Sequence, residues 1–305
     1  MFAYLGRRLL FTIPLLFFIL LGSFFFMRMA KGGPFDDERE LPPQIEANLR
    51  AKYNLDQPTH IQFLHYMKGL ARGDLGPSFK YQARSVNEII AQGLPVSFAL
   101  GGSALVFALL IGIPVGVVGA LRHNQPTDYL LMSVALLGIS IPNFVLGPIL
   151  IMIFSFSLGW LPAGGWGTVQ QLILPALTLG AIRAAYVARL ARAGMLEVIR
   201  QDFIRTARAK GLSERVVVGK HALRLAILPV LSYLGPATAS ILVGSVVVEK
   251  IFNIPGMGTF FVNSALNRDY TLAMGTVLLY SGLLITLNLL VDIMYAVIDP
   301  RVELS

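Results

Sequence analysis

The sequence predicts an all-α integral membrane protein with six transmembrane helices. Of its 305 residues, 55% are hydrophobic and only 14% are charged, which is too little charge to cover the surface of a water-soluble protein. The apolar residues fall into long runs that can cross a bilayer as helices. The formal net charge of +8 lies mainly beside these runs. The positive-inside rule accounts for it there, so it gives no support to nucleic-acid binding.

The first two spans follow directly from this pattern. Residues 9–27 are uncharged and follow Arg7 and Arg8, which favour a cytoplasmic N-terminus. This run is too long for the apolar part of a cleaved signal peptide, so residues 1–30 are expected to hold an uncleaved first span. The second span, 94–121, carries Gly112 and Gly116 at a spacing that allows close helix packing.

Residues 31–93 separate these two spans and are expected on the extracytoplasmic side. They hold eight basic and eight acidic residues and contain short helical patterns. Ser85 and Glu88 fit a capping box that opens a helix into the second span. Two interpretations stay open for this region: a structured loop that packs on the spans, or a docking surface for a protein that delivers substrate.

The remaining part of the chain, 94–305, is predicted to hold five spans in all, with both termini cytoplasmic. After the second span, they cover residues 129–158, 172–190, 225–248 and 271–298. Pro142 and Pro148 interrupt the third span. His123, in the short loop before it, has no neighbouring ligand candidates in the sequence and predicts no metal site. Residues 249–270 are expected to form an outer loop.

The most basic stretch, 192–224, has eight Lys or Arg residues and three acids. The pattern predicts a short helix that begins with Asp202 as N-cap, ends at Lys210 and is closed by Gly211 in a left-handed conformation. A second helix follows and enters the membrane at Leu228 and Pro229.

Four apolar residues recur at helical spacing before the glycine, and they predict one apolar helix face: Leu196, Ile199, Phe203 and Ala207. Basic residues fall largely on the other side. This arrangement can present a short helix to a partner. The alternative is an ordinary cytoplasmic loop that obeys the positive-inside rule.

The segment RTARAKG at 205–211, followed by ILP at 227–229, resembles the coupling motif of binding-protein-dependent ABC importer permeases. That motif reads Glu-Ala-Ala, three residues, Gly, then a spacer and Leu-Pro. Arg205 and Thr206 stand where the motif has Glu and Ala, Ala207 matches, and the spacer is longer. Both departures are typical of the oligopeptide, dipeptide and nickel branch.

Other segments resemble the same branch: GDLGPSFKY at 73–81, GSVVVEKIFNIPGMGTFFVNSALNRDY at 244–270 and DPR at 299–301. The resemblance covers essentially the whole chain. It is strongest to the first of the two permease subunits of oligopeptide importers.

The resemblance implies a type I ABC importer permease fold with a cytoplasmic coupling helix, in a bacterial inner membrane. It implies four kinds of protein partner or substrate besides lipid: a second homologous permease, two ATPase subunits, an extracytoplasmic binding protein and a peptide. ATP and Mg²⁺ would be bound by the ATPase subunits. The residues that match or adjoin the coupling motif are Asp202, Arg205, Thr206, Ala207, Arg208, Lys210, Gly211, Leu228 and Pro229.

The sequence contains no catalytic constellation. It has no cysteine, no P-loop, no H-E-x-x-H and no G-x-S-x-G. Three other functions stay open: import of another solute of the same branch, such as a dipeptide or a nickel chelate, a self-contained secondary transporter or channel, and a membrane enzyme. A secondary transporter is disfavoured because no internal repeat is evident and Asp292 is the only acid predicted well inside a span.

Arg183 is the charged residue that the fold class alone does not explain. It lies eleven residues after Leu172, roughly 16 Å into a core about 30 Å thick. Three explanations are open: its side chain snorkels to the helix end, it lines the translocation path, or it pairs with Asp292. Arg183 and Asp292 are therefore the candidate path residues.

Overall fold

The computed structural model describes residues 2–29, 55–81, 83–244 and 246–298, and in that part the regular elements are helices. In chain order, the α-helices are α1 (Phe2–Met29), α2 (Thr59–Leu70), α3 (Val86–Leu121), α4 (Pro126–Ser140), α5 (Asn143–Leu150), α6 (Val169–Val198), α7 (Asp202–Ala209), α8 (Glu214–Val216), α9 (Leu223–Ala226), α10 (Leu228–Gly244), α11 (Val246–Ile251), α12 (Met257–Leu266) and α13 (Tyr270–Ile298). Two π-helical segments, π1 (Ile151–Ser157) and π2 (Val217–Ala222), continue α5 and α8.

The chain forms two compact units. The first contains residues 1–95 and 256–283, and the second contains 96–255 and 284–305. The predicted three-part division at residues 30 and 93 concerns membrane sides, so it stays a prediction. Part of the predicted outer region, residues 31–54 and 82, lies outside the described residues.

The first unit is held together by aromatic packing and by one buried carboxylate. Phe24 of α1 packs edge-to-face on Phe63 of α2, and Met274 of α13 completes that cluster. Asp269 is buried just before α13 and accepts hydrogen bonds from the Ser78 hydroxyl and from the backbone N–H groups of residues 79 and 272. Asp269 therefore caps α13 and ties the loop before α3 to it.

The structure confirms the predicted helices of the first, second, fourth and sixth spans. Their helices α1, α3, α6 and α13 are long and apolar enough to cross a bilayer. The capping box at the start of α3 is present, because the Glu88 N–H donates to the Ser85 hydroxyl and the Ser85 N–H donates to the Glu88 carboxylate, both at 3.2 Å.

Gly112 and Gly116 pack as their spacing predicts. A Cβ on Gly112 would lie 2.6 Å from the carbonyl oxygen of Ala184 in α6, and one on Gly116 would meet the carbonyl of Ala188 even more closely. Such distances leave no room for a side chain. The two backbones of α3 and α6 therefore approach closely in the second unit, as small residues permit in membrane helices.

The predicted third and fifth spans are bent. The break before α5 lies at Pro142, and α4 meets the helix of residues 143–157 at 106°. The helix of residues 214–226 meets α10 at 50°. By length and composition, four helices in the described part of the chain can cross a membrane, or up to six if each bent pair is one span. The count of six stays a prediction.

Candidate coupling site

The short helix α7 is anchored through one face only. Ile204 and Ala207, three residues apart, are buried in an apolar cluster. The buried residues around them are Ala120, Met195, Val198, Val217, Ala222 and Ala226, which come from α3, α6, π2 and α9. We call residues 199–227 the coupling segment. Its helix α7 is held by apolar packing on its inner side, and its other sides face outwards.

The outward surface of α7 is cationic with one large apolar residue. Its exposed residues are Asp202, Phe203, Arg205, Thr206, Arg208 and Ala209, and Lys210 follows them. Arg205 lies 3.3 Å from Asp202, and Arg208 donates two hydrogen bonds to Glu214 at 2.7 and 3.2 Å. Both pairs are exposed, so the two arginines can exchange these partners for groups on another chain at little cost.

Two details of the predicted helix were wrong. Gln201 occupies the N-cap position, and Asp202 is the first helical residue, where a negative charge still favours the helix dipole. Phe203 is 37% exposed, whereas Ile204 is fully buried. The reason is that α6 ends at Val198 and the turn after it resets the helical register, so a face read continuously through 196–207 does not persist.

Gly211 adopts the predicted left-handed conformation, with φ = +76°. Its N–H donates to the Arg208 carbonyl at 2.9 Å, and the Leu212 N–H donates to the Ala207 carbonyl at 3.4 Å. This pair of bonds is a Schellman motif, which ends a helix and reverses the chain. The turn sets the direction in which the chain leaves α7.

Leu228 and Pro229, the Leu-Pro of the motif in the sequence, directly follow the coupling segment. The chain bends at Ile227, Leu228 begins α10, and Pro229 occupies its second position, where its missing N–H removes no helical bond. Just before the bend, the carbonyl of Ala226 lies so close to Gly194 of α6 that a Cβ there would clash. The end of the coupling segment is thus fixed against α6.

A buried ion pair beside this segment was missed by sequence reasoning. The Asp128 carboxylate at the start of α4 is 1% exposed and receives two hydrogen bonds from Arg192 of α6, both at 2.7 Å. His123 is not isolated, because its Nδ1 lies 3.1 Å from Arg192 Nη2 and 3.5 Å from Asp128 Oδ2. A guanidinium has only donors, so this nitrogen acts as an acceptor towards it. Sequence reasoning could have found this pair, because Asp128 and Arg192 carry opposite charges at the ends of two spans that were predicted to end on the same side of the membrane.

Arg183 contacts α10. Its Nη1 donates to the Tyr233 hydroxyl at 3.2 Å and its Nη2 donates to the Ser240 hydroxyl at 2.9 Å. Two neutral hydroxyls satisfy hydrogen bonds but leave the charge uncompensated. The described structure does not include the side chain of Asp292, so the predicted pair between these two residues stays a prediction.

Glu249, the first residue of the predicted outer loop 249–270, is helical and buried, and the side of the membrane on which this loop lies stays a prediction. Sequence reasoning began that loop at residue 249, but the residue lies inside α11, is fully buried, and accepts a hydrogen bond from Ser97 of α3 at 3.0 Å. The apolar run 246–248 continues as a helix through the acid because the carboxylate has a hydrogen-bonding partner on the neighbouring helix. Glu249 is therefore a second acidic residue, besides Asp292, that lies within an apolar helix of the chain.

Residues 112–304 match the family described as the binding-protein-dependent transport system inner membrane component. The chain belongs to this family. The matched part includes the coupling segment, Arg183, Glu249 and the Asp128–Arg192 pair.

Curated relatives extend the similarity beyond this region. The chain is 49% identical over 305 residues to the oligopeptide transport system permease protein OppB of Haemophilus influenzae, which covers 99% of this chain and 100% of the relative. It is 48% identical to OppB of Escherichia coli K12 with the same coverage. The dipeptide transport system permease protein DppB of Bacillus subtilis is 47% identical over 282 residues, or 92% of each chain.

Two solved structures of ABC transporters are similar in fold to this chain. A chain of the MetNI methionine ABC transporter in an inward-facing conformation superposes with a TM-score of 0.57 at 20% identity, covering 69% of this chain and 96% of that one. A chain of an amino acid ABC transporter gives 0.52 at 18% identity, covering 68% and 93%. Together with the family match, these similarities confirm the type I ABC importer permease fold.

Proposed function

We propose that this permease is one of two membrane subunits of an ATP-driven, binding-protein-dependent importer of oligopeptides. The observation that carries the proposal is the full-length identity to oligopeptide permease proteins, 49% over 305 residues. The partners would be a homologous permease, two ATPase subunits that bind ATP and Mg²⁺, and an extracytoplasmic binding protein. The chain would lie in the inner membrane with both termini and the coupling segment on the cytoplasmic side.

The geometry of α7 supports a role as the lever between ATPase and membrane. Phe203, Arg205 and Arg208 would contact a groove on the ATPase, while Ile204 and Ala207 hold the helix to the permease. Movement of the ATPase subunits would then shift α7, the packed ends of α6 and α9, and the helices behind them. A shift of these helices between two arrangements, one open to each side of the membrane, would be an alternating-access mechanism.

Arg183 is proposed to line the translocation path, where a fixed cation would attract the carboxylate end of a peptide. Its described hydrogen bonds go only to neutral hydroxyls, which leave the charge uncompensated and available for an anionic group. We expect Arg183→Ala to reduce peptide uptake while the assembled complex is recovered at normal yield. Loss of assembly that Asp292→Ala partly restores would instead support the predicted structural pair.

Two measurements test the main proposal. Affinity purification of this chain should recover two ATPase subunits and a second permease, and the complex in proteoliposomes should take up oligopeptides only with ATP and the binding protein. Uptake by this chain alone, without ATPase subunits, would contradict the proposal and favour a secondary transporter.

A dipeptide importer is the second candidate, because the Bacillus subtilis dipeptide permease protein is 47% identical over 282 residues. Competition between peptides of two to six residues in the same proteoliposomes separates the two functions. Uptake that is inhibited only by dipeptides would replace the first proposal by the second.

A further inference from the structure

A cleft of about 310 Å³ lies within the first unit, apart from the coupling segment. It is lined by the last turn of α1, by one side of α2, by the loop 74–79 and by the first residues of α13. Its polar side chains are those of Arg28, Gln62, His65, Tyr66, Asp74, Tyr270 and Thr271. The size is on the order of that of small-molecule sites in proteins.

Arg28 is turned into this cleft and held there. Its guanidinium carbon lies 3.5 Å from the centre of the Phe24 ring and 4.9 Å from that of Tyr270. Its Nε and Nη2 both donate to Gln62 Oε1, at 3.1 and 2.9 Å. The Gln62 amide nitrogen donates in turn to two backbone carbonyls, those of Leu55 and Gln57, which fixes the orientation of the amide. The arginine therefore has a preset position.

The remaining donor of this arginine has no partner. Arg28 Nη1 is buried and makes no hydrogen bond, and no carboxylate among the described residues forms an ion pair with the guanidinium. Arg28 is half-buried, and a buried donor without a partner on such a cation is costly unless an anion compensates it. The site thus has a place for an anionic acceptor.

The Tyr66 hydroxyl lines the same cleft and is also buried without a hydrogen-bonding partner. Burial raises the pKa of this phenol, so it stays protonated and can donate. An acceptor that takes one bond from Arg28 and one from Tyr66 would satisfy both groups. Phosphate oxygens match an arginine fork in geometry and charge.

Asp74 places a negative charge on the same lining. Its Oδ1 accepts from the Gly76 N–H at 2.9 Å, and a carboxylate has further acceptor capacity. An anion alone would be repelled by this group, whereas a ligand with both a phosphate and an amine would use it. The lining therefore favours a zwitterion.

The position of the cleft indicates the source of such a ligand. Arg28 lies in the last turn of the apolar helix segment Leu10–Met29, and its neighbours Phe26 and Met29 are 79% and 80% exposed. An apolar outer surface thus reaches the level of the cleft at one end of a candidate span. That level is where lipid headgroups meet a transmembrane helix.

We propose that this cleft binds a phosphoethanolamine lipid headgroup, with Arg28 and Tyr66 donating to the phosphate and Asp74 accepting from the ammonium group. The lipid would join the end of α1 to α2 and α13 within the first unit. This proposal requires that the chain spans a membrane, but it does not depend on which solute is transported.

The test measures lipid retained by the detergent-purified protein, together with the chains that accompany it, by mass spectrometry. The wild type should retain phosphatidylethanolamine through washing, and Arg28→Gln should retain about tenfold less. Arg72→Gln is the matched control, because Arg72 is exposed in the same unit and does not line the cleft. Asp74→Asn should lower the retained ratio of phosphatidylethanolamine to phosphatidylglycerol.

Tyr66→Phe is a second variant, which tests the same site if Arg28→Gln does not assemble. It removes only the hydroxyl, and it should lower phosphatidylethanolamine retention about threefold at unchanged yield. Equal retention by Tyr66→Phe and Arg72→Gln would overturn the proposal. So would stabilisation of delipidated protein by inorganic phosphate, but not by phosphatidylethanolamine, since the ligand would then be the free anion.

Discussion

Two arginine–carboxylate pairs of the second unit, one between α6 and α4 and one at the last turn of the coupling helix α7, differ in their surroundings. Arg192 and Asp128 form a buried pair, with side-chain exposures of 25% and 2%. Arg208 and Glu214 form a pair with the same 2.7 Å contact, but with exposures of 40% and 62%. The same kind of ion pair therefore occurs once inside the fold and once at the exposed surface of α7.

The difference in burial assigns the two pairs different roles. Removing one member of a buried pair leaves an uncompensated charge and costs about 3–5 kcal/mol, whereas exposed pairs contribute roughly 0–1 kcal/mol. The inner pair fixes the end of α6 to the start of α4. The outer pair can open at little cost when another chain offers Arg208 a carboxylate. We expect perturbations to separate into loss of stability for the first and loss of coupling for the second.

The largest effect is expected for Arg192→Met. It leaves Asp128 buried without its main partner and should lower the free energy of unfolding in detergent by about 3–5 kcal/mol. Arg200→Met is the control, since Arg200 is exposed on the following turn. Replacing both members of the pair, with Asp128→Leu added, should recover part of the loss. Unfolding of Arg192→Met at the same denaturant concentration as Arg200→Met would mean that the inner pair stabilises nothing.

The next effect distinguishes two neighbouring apolar residues. Ile204→Ala should destabilise the protein by about 2–5 kcal/mol because it opens a cavity in the buried cluster. Phe203→Ala should change stability by about 1 kcal/mol or less and reduce retention of the ATPase subunits, since Phe203 is 37% exposed and does not belong to the cluster. The two variants are compared by unfolding and by co-purification. If Phe203→Ala proved the more destabilising of the two, the assigned orientation of α7 would be incorrect.

A smaller effect on stability, with a large effect on coupling, is expected for Gly211→Val. A β-branched residue at φ = +76° is strained by about 1–2 kcal/mol and would redirect the chain after α7. Gly219→Val is the matched control, because a Cβ has free space at both glycines and only Gly211 has a positive φ. The ratio of ATP hydrolysed to peptide transported should rise for Gly211→Val alone. Equal ratios at equal protein levels would contradict the lever model.

The smallest change in stability is expected for Arg208→Gln and Glu214→Gln, below about 1 kcal/mol each. If Arg208 serves the ATPase, Arg208→Gln should lower peptide-coupled ATP hydrolysis and Glu214→Gln should not. If peptide-coupled ATP hydrolysis fell equally in both variants, the Arg208–Glu214 pair itself would be required for coupling. The exposed pair would then have a structural role, as the buried Arg192–Asp128 pair has.

The features that sequence reasoning predicted correctly depend on residues close together in the chain. The left-handed Gly211, the capping box of Ser85 and Glu88, and the long apolar helices each follow from a local pattern. The packing of Gly112 and Gly116 was also predicted, because the absence of side chains at that spacing permits a close approach of two helices. Together with the resemblance at 205–211, these patterns determined the fold class and the place of the coupling helix.

The tertiary structure alone decided which polar residues meet. Asp128 and Arg192 are 64 residues apart, and Ser97 and Glu249 are 152 apart, so no local pattern relates them. The interrupted register after Val198 decided that Ile204 faces inwards and Phe203 outwards. Hydropathy and periodicity describe one helix at a time, whereas the burial of a charge depends on which neighbouring helix supplies its partner. For that physical reason, the sequence determined the elements of this permease, and their packing determined which polar residues are buried together and which face of α7 is anchored.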